Sequence, residues 1–169
     1  MGEIEVSERA GDELVARGLG SCIGLALVDR FVGVAGLAHI VLPQSTETDR
    51  KPGKFADLAV PALIDRVIQA GASPRRLEAV LAGGARMFEL GELDIGARNE
   101  EAVREGLAAS GVPIRASATG GSRGRTMRVE VTGGTVTVKE AGADPATLLG
   151  GSAAAARRAQ ATTLQEAAR

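Results

Sequence analysis

Residues 22–42 read CIGLALVDRFVGVAGLAHIVL. Two strand-length apolar runs, 22–28 and 33–42, are separated by a short polar link and bounded by turn residues. Both read as buried strands, and with Asp29 to Val32 as the connection they form a hairpin. The hairpin carries the only Cys and the only His of the chain, Cys22 and His39, seventeen positions apart. In an antiparallel ladder, opposed residues have a constant sum of residue numbers. A turn centred between Arg30 and Phe31 therefore sets Cys22 directly opposite His39 on one face, with Cβ atoms ~4.5–5.5 Å apart. A connection one residue longer or shorter would send His39 to the other face.

A thiol and an imidazole at that separation make a Cys–His nucleophile pair. A free thiol titrates near pH ~8.5, so little of it is ionised at neutral pH, and a neighbouring imidazolium would stabilise the thiolate. Gly18-Leu19-Gly20-Ser21 precede the cysteine. Glycines there let the backbone turn sharply, and the amide groups around Gly20 and Ser21 are candidates for an oxyanion hole. A lone Cys on an apolar strand is also an ordinary small buried hydrophobe, and a lone His can be a satisfied core residue. The two residues by themselves leave both readings open.

Outward from the hairpin, Pro43 to Gly53 is polar and reads as a loop. Phe55 to Ala70 places Phe55, Leu58, Ala59, Ala62, Leu63, Val67 and Ile68 at helical spacing, with Gly71 to end the helix and Pro61 shortening its first turn. Leu77 to Ala82 is a strand before Gly83-Gly84. Asn99 to Ser110 is a second amphipathic helix, with Ala102, Val103, Leu107 and Ala108 on one face. Val112 to Ala118 is a strand, and Arg125–Val131 with Thr135–Val138 make a second hairpin around Thr132-Gly133-Gly134. Hairpins mixed with helices argue for an α+β fold rather than a parallel βαβ array. Residues 1–150 are expected to be one domain, and the Ala-rich residues 151–169 a tail or surface helix.

Composition narrows the function classes. The 169 residues are 44% hydrophobic but only 2% aromatic, without Trp or Tyr. The core must come from Val, Leu, Ile and Ala, and base-stacking platforms for single strands are not expected. A formal net charge of −1 with mixed signs offers no phosphate-tracking face. One cysteine permits no internal disulfide, which suits a reducing compartment. The charged N-terminal MGEIEVSERAGDELVARG has no apolar core of a secretory signal, and the most apolar stretch, 32–43, is too short and Gly-broken to span a bilayer. A cytoplasmic protein is expected.

GLGSCIGLALVD followed by GVAGLAHIVLP resembles the signature of the CheD family of chemoreceptor glutamine deamidases. KFADLAVPALIDRVIQAGA, LEAVLAGGARMF, IGARNEEAVREGLAASGVPI and GGSRGRTMRVEVTGGTVTVK continue the likeness in order, over about residues 10–140. The resemblance implies a layered sandwich of mixed or antiparallel β-sheets with flanking helices. It implies hydrolysis of selected glutamine side chains in chemoreceptor cytoplasmic helices, with Cys22 as nucleophile, His39 as general acid and base, and no metal or organic cofactor. It also implies binding to a CheC-type phosphatase of the response regulator. A Thr that orients the His in the family is replaced here by Ala16, with Ser45 and Thr46 as candidate stand-ins, and an Asp before the Gly-Gly turn is replaced by Ala118. The missing Thr keeps a second class alive, a regulatory module that binds CheC with little chemistry of its own. Gly120, Gly121 and Gly124 either serve positive-φ positions before the closing hairpin or, with Arg125, line a substrate rim. Arg98 and Asn99 carry the same two readings, with a buried Arg–carboxylate pair or an Asn cap as the default and a catalytic role for neither.

Overall fold

A computed structural model describes residues 1–86 and 94–150, and the expected tail at 151–169 lies outside them. Two sheets are stacked face to face, with two helices on the outer side of the larger one. The five-stranded sheet runs β1 (Ile4–Ser7), β4 (Val34–Ile40), β3 (Ile23–Asp29), β5 (Glu78–Gly83), β6 (Ile114–Thr119). The four-stranded sheet runs β2 (Glu13–Leu19), β7 (Arg125–Glu130), β8 (Thr135–Glu140), β9 (Ala146–Leu149). The helices are α1 (Ala56–Gln69) and α2 (Ile95–Ala109). The α+β layered sandwich expected from the sequence is the fold found. Only β5 and β6, joined through α2, are parallel among the described strands.

The central hairpin is buried on both faces, which is why it shows no polar alternation. Every residue of β3 and β4 is buried. Ile23, Leu25, Leu27, Ala38 and Ile40 meet the helices, where Ala59, Val60, Leu63, Val103 and Leu107 complete one core. Burying each of the larger side chains is worth about 1.5–3 kcal/mol. Ala26, Val28, Ala35 and Leu37 face the second sheet and meet Leu14, Met127, Val129 and Val136. α1 runs through Pro61, because the i→i−4 bond that proline forfeits lies on the exposed side of the helix. α2 begins four residues earlier than expected, where the Asp94 carboxylate accepts the N–H of Ala97. Ala108, expected on its apolar face, is exposed.

The register of the hairpin corrects the sequence reading. Asp29 pairs with Val34, so the connection is Arg30–Gly33 and the turn is centred one residue later. His39 therefore lies opposite Gly24, not Cys22. The reason is at Asp29, whose buried carboxylate finds enough donors to stay in the strand: the N–H groups of Ser73 and Phe31, and the Arg76 guanidinium. Because the centre moves by a whole residue, the ladder slips by two, and the face is conserved. His39 still alternates with Leu37 and Ala35 toward the second sheet. The second hairpin, β7–β8, uses the same device: four connecting residues, with the N–H of the closing glycine bonded to the carbonyl four residues back. That bond is 3.0 Å for Gly33 to Asp29 and 3.0 Å for Gly134 to Glu130.

β1, β2 and β9 had no counterpart in the sequence reading. β1 and β9 are four residues each, too short for a period to show. β2 is broken by a register shift between Ala16 and Leu19, with Gly18 at φ 67°. No helix among the described residues is long and apolar enough to cross a membrane.

Candidate active site

The chain changes sheets at the cysteine. β2 ends at Leu19 in the four-stranded sheet, and β3 begins at Ile23 in the five-stranded one, so Gly20-Ser21-Cys22 is the crossing link. The shift in β2 just before it is the kind of bulge that re-aims a chain beside a functional site. Two segments hold the link. The N–H of Ala85 donates to the Gly20 carbonyl at 2.8 Å and that of Gly84 to the Cys22 carbonyl at 2.9 Å. Asn99 Nδ2 donates to the Ser21 carbonyl at 2.9 Å. β5 comes in so close that a Cβ on Gly83 would lie 2.1 Å from the Cys22 carbonyl oxygen, and Gly83 itself sits at φ 111°. Only glycine meets both conditions.

Cys22 is buried among the inter-sheet residues Leu14, Ala16, Leu19 and Met127. His39 is also buried, and its Nε2 has no hydrogen-bond partner among the described residues. A buried ring nitrogen without a partner costs stability unless it has a task. Burial pushes the His39 imidazole below its ordinary value of 6.5, helped by the positive chain amino group and opposed by Glu3. Burial pushes the Cys22 thiol above 9.0, offset in part by the amino group and by the residue's own N–H. Both shifts favour the neutral forms over the expected imidazolium–thiolate pair, because desolvation is the largest influence on each group. A neutral imidazole is a base, and a neutral thiol needs one.

The amide groups before the cysteine divide. The N–H of Gly20 is taken by the Gly18 carbonyl at 3.0 Å. Those of Ser21 and Cys22 have no main-chain acceptor outside the residue itself among the described residues. Ala16, in the position of the orienting Thr, is buried and paired with Met127. Ser45 is engaged with Asp57 through its hydroxyl at 2.7 Å and its N–H at 3.0 Å, and Thr46 bonds within its own loop. Neither hydroxyl is aimed at the imidazole. Ala118 pairs with Ala82 and packs against the inter-sheet core.

A cavity of about 680 Å³ opens beside the link, lined by Gly84, Arg86, Asp94, Glu100, Gly120 and Gly121 among others. Gly120 and Gly121 have φ of 76° and 70°, so they serve the turn and line the cavity at once. Gly124 has no positive φ, and its carbonyl accepts from Ala141. Arg125 is buried. Its guanidinium bonds to the carbonyls of Gly120 at 2.7 Å and Gly83 at 3.3 Å and to Glu140 at 3.0 Å, which fastens the turn to the end of β5. Arg98 is exposed rather than in a buried ion pair. Asn99 caps nothing: it lies inside α2, fully buried, and also donates to the Val41 carbonyl at 2.9 Å. Its importance was not legible in sequence, since a polar residue on a helix shows no sign of which carbonyls it will meet.

Known proteins sharpen this picture. A family model described as CheD chemotactic sensory transduction matches residues 41–140. A relative named probable chemoreceptor glutamine deamidase CheD, from Symbiobacterium thermophilum, is 44% identical over 149 residues, covering 84% of this chain and 90% of the relative. Proteins of the same name from Clostridium tetani and Desulforamulus reducens are 43% identical over 140 residues and 45% over 137. They cover 79% and 78% of this chain, and 85% and 82% of their own lengths. At 43 to 45% identity over most of its length, this chain belongs to the CheD family.

Proposed function

We propose that this protein hydrolyses the side-chain amide of selected glutamines in chemoreceptors, giving glutamate and ammonia, with Cys22 as nucleophile and His39 as general acid and base. One observation carries the assignment of residues. The only thiol and the only imidazole of the chain share the inter-sheet side at one end of a hairpin, and the imidazole Nε2 is buried without a partner among the described residues. Relatives at 43 to 45% identity carry the name of this activity.

The chemistry follows from two neutral groups. His39 takes the thiol proton as Cys22 Sγ attacks the amide carbon. The amide oxygen becomes an oxyanion facing the free N–H groups of the link. As the C–N bond breaks, His39 returns the proton to the departing nitrogen, which leaves as ammonia, and a thioester remains on Cys22. A water then gives a proton to His39 and attacks the thioester. Its collapse frees the glutamate and restores the thiol. The cavity lined by Gly84, Gly120 and Gly121 adjoins the link but has neither Cys22 nor His39 in its lining.

Chemoreceptor cytoplasmic helices as substrate place this work in the cytoplasm. A CheC-type phosphatase is a second partner. Ala16 favours the alternative in which binding that partner is the main task, because it leaves the imidazole without the family's orienting hydroxyl.

The test is ammonia release and a one-dalton gain on a receptor cytoplasmic fragment, for the native chain beside Cys22→Ala. Release from the native chain alone is expected. Release from both would remove Cys22 from the mechanism. Release from neither, with both folded, would favour the binding module.

A further inference from the structure

Asn99 is bonded to both strands' ends that carry the reactive pair. Its Nδ2 uses one proton on the carbonyl of Ser21, the residue before Cys22, and the other on the carbonyl of Val41, two residues past His39. Both bonds are 2.9 Å, and the side chain is fully buried. Its Oδ1 is buried without a partner among the described residues. Among them the amide is held by what it donates.

The Ser21 carbonyl and the Cys22 N–H are the two ends of one planar peptide, and no peptide among the described residues is cis. In a trans peptide the two point in opposite directions. Pinning the carbonyl toward α2 turns the Cys22 N–H away from α2, toward the inter-sheet side on which the thiol lies. The contact of that N–H with its own thiol agrees with this direction. The next carbonyl, that of Cys22, is pinned separately by Gly84.

We propose that Asn99 is a positioning residue: it orients the Ser21–Cys22 peptide so that the Cys22 N–H meets the oxyanion, and it ties that peptide to the strand of His39. This rests on the deamidase reading above. Asn99 touches neither substrate nor the reacting atoms.

Asn99→Leu, which keeps the shape and removes both donors, and Asn99→Ser, which can keep one, are compared with the native chain. The readings are kcat and KM for ammonia release, the rate of Cys22 alkylation by iodoacetamide, and the urea midpoint. Alkylation forms no oxyanion, so it depends on the N–H only through the small help that group gives the thiolate. For Leu, kcat is expected to fall about 10²–10³-fold, the cost of one oxyanion donor. KM and the alkylation rate are expected to stay within a few-fold of native. Ser falls between. A folded Leu variant with native kcat overturns the proposal. So does a fall in kcat matched by an equal change in alkylation, which would mean a loosened link and no more. If Leu does not fold, Ser decides by the same criteria. A native chain without turnover would sink the deamidase reading instead, a result distinct from either.

Discussion

Asp29 and His39 are both buried polar residues on the same hairpin, one at each end. Asp29, beside the turn, has every demand met: two N–H groups and a guanidinium converge on its carboxylate. Burial alone would raise its affinity for a proton, but the bonds from Arg76, Ser73 and Phe31 override that and hold it below 3.8. His39, at the open end, keeps Nε2 without a partner among the described residues. One polar group was buried to fasten a turn. The other was buried with its chemistry left free. The difference lies in what surrounds each residue, not in how deeply it is buried.

Changing each residue tests the contrast. His39→Ala should lower kcat about 10²–10⁴-fold, the span of a general base, while the urea midpoint moves little, since an unpartnered nitrogen is lost together with its ring. A large loss of stability would mean the imidazole is held by bonds after all. Asp29→Asn should do the reverse. It leaves Arg76 uncompensated and weakens the bonds from three partners, which should cost about 2–3 kcal/mol in urea unfolding. Turnover per folded molecule should be native, and a drop there would join the two ends functionally.

The pH dependence of stability separates the ends further. His39 binds its proton more weakly when folded, so the unfolded chain takes up the extra proton first. Its contribution is intact above 6.5 and is lost as pH falls below that value. Asp29 contributes above 3.8, and that contribution disappears on further acidification. Cys22 behaves in the opposite way: the unfolded thiol ionises first, so stability declines as pH rises past 9.0. Urea midpoints across pH should show these regions, with the alkaline one absent in Cys22→Ala. The same burial predicts slow alkylation of Cys22 at neutral pH. Fast labelling there would mean that the thiolate is stabilised by something other than His39 in the conformation described.

The smallest effect belongs to Ala16→Thr. A hydroxyl in the inter-sheet layer should raise kcat several-fold if His39 lacks an orienting group. Fitting it against Met127 should cost about 1–2 kcal/mol of stability. Unchanged turnover would mean that another group already orients the ring.

The central hairpin, both helices, the second hairpin and the α+β layering were legible because long apolar runs and helical spacings survive any context. The hairpin's register was not. It depends on whether Asp29 ends the strand or begins the turn, and that is settled by Ser73 and Arg76, more than forty positions away. The shared face of Cys22 and His39 survived the error only because the slip was even. Cys22 and His39 were visible as the sole members of their types. Asn99 and Arg125 were singled out too, but not in the roles found, since most of their partners are backbone carbonyls, which every residue has.

The Asn99 bond to Ser21 spans 78 positions. A ribosome that has released the chain only through β4 has already delivered both the thiol and the imidazole, but not the helix that holds the link between them. Gly84 and Ala85, which pin the same link, have not emerged either. Reactive side chains are thus made early and shaped late, and a truncated product ending before α2 would carry the nucleophile without the frame that makes it one.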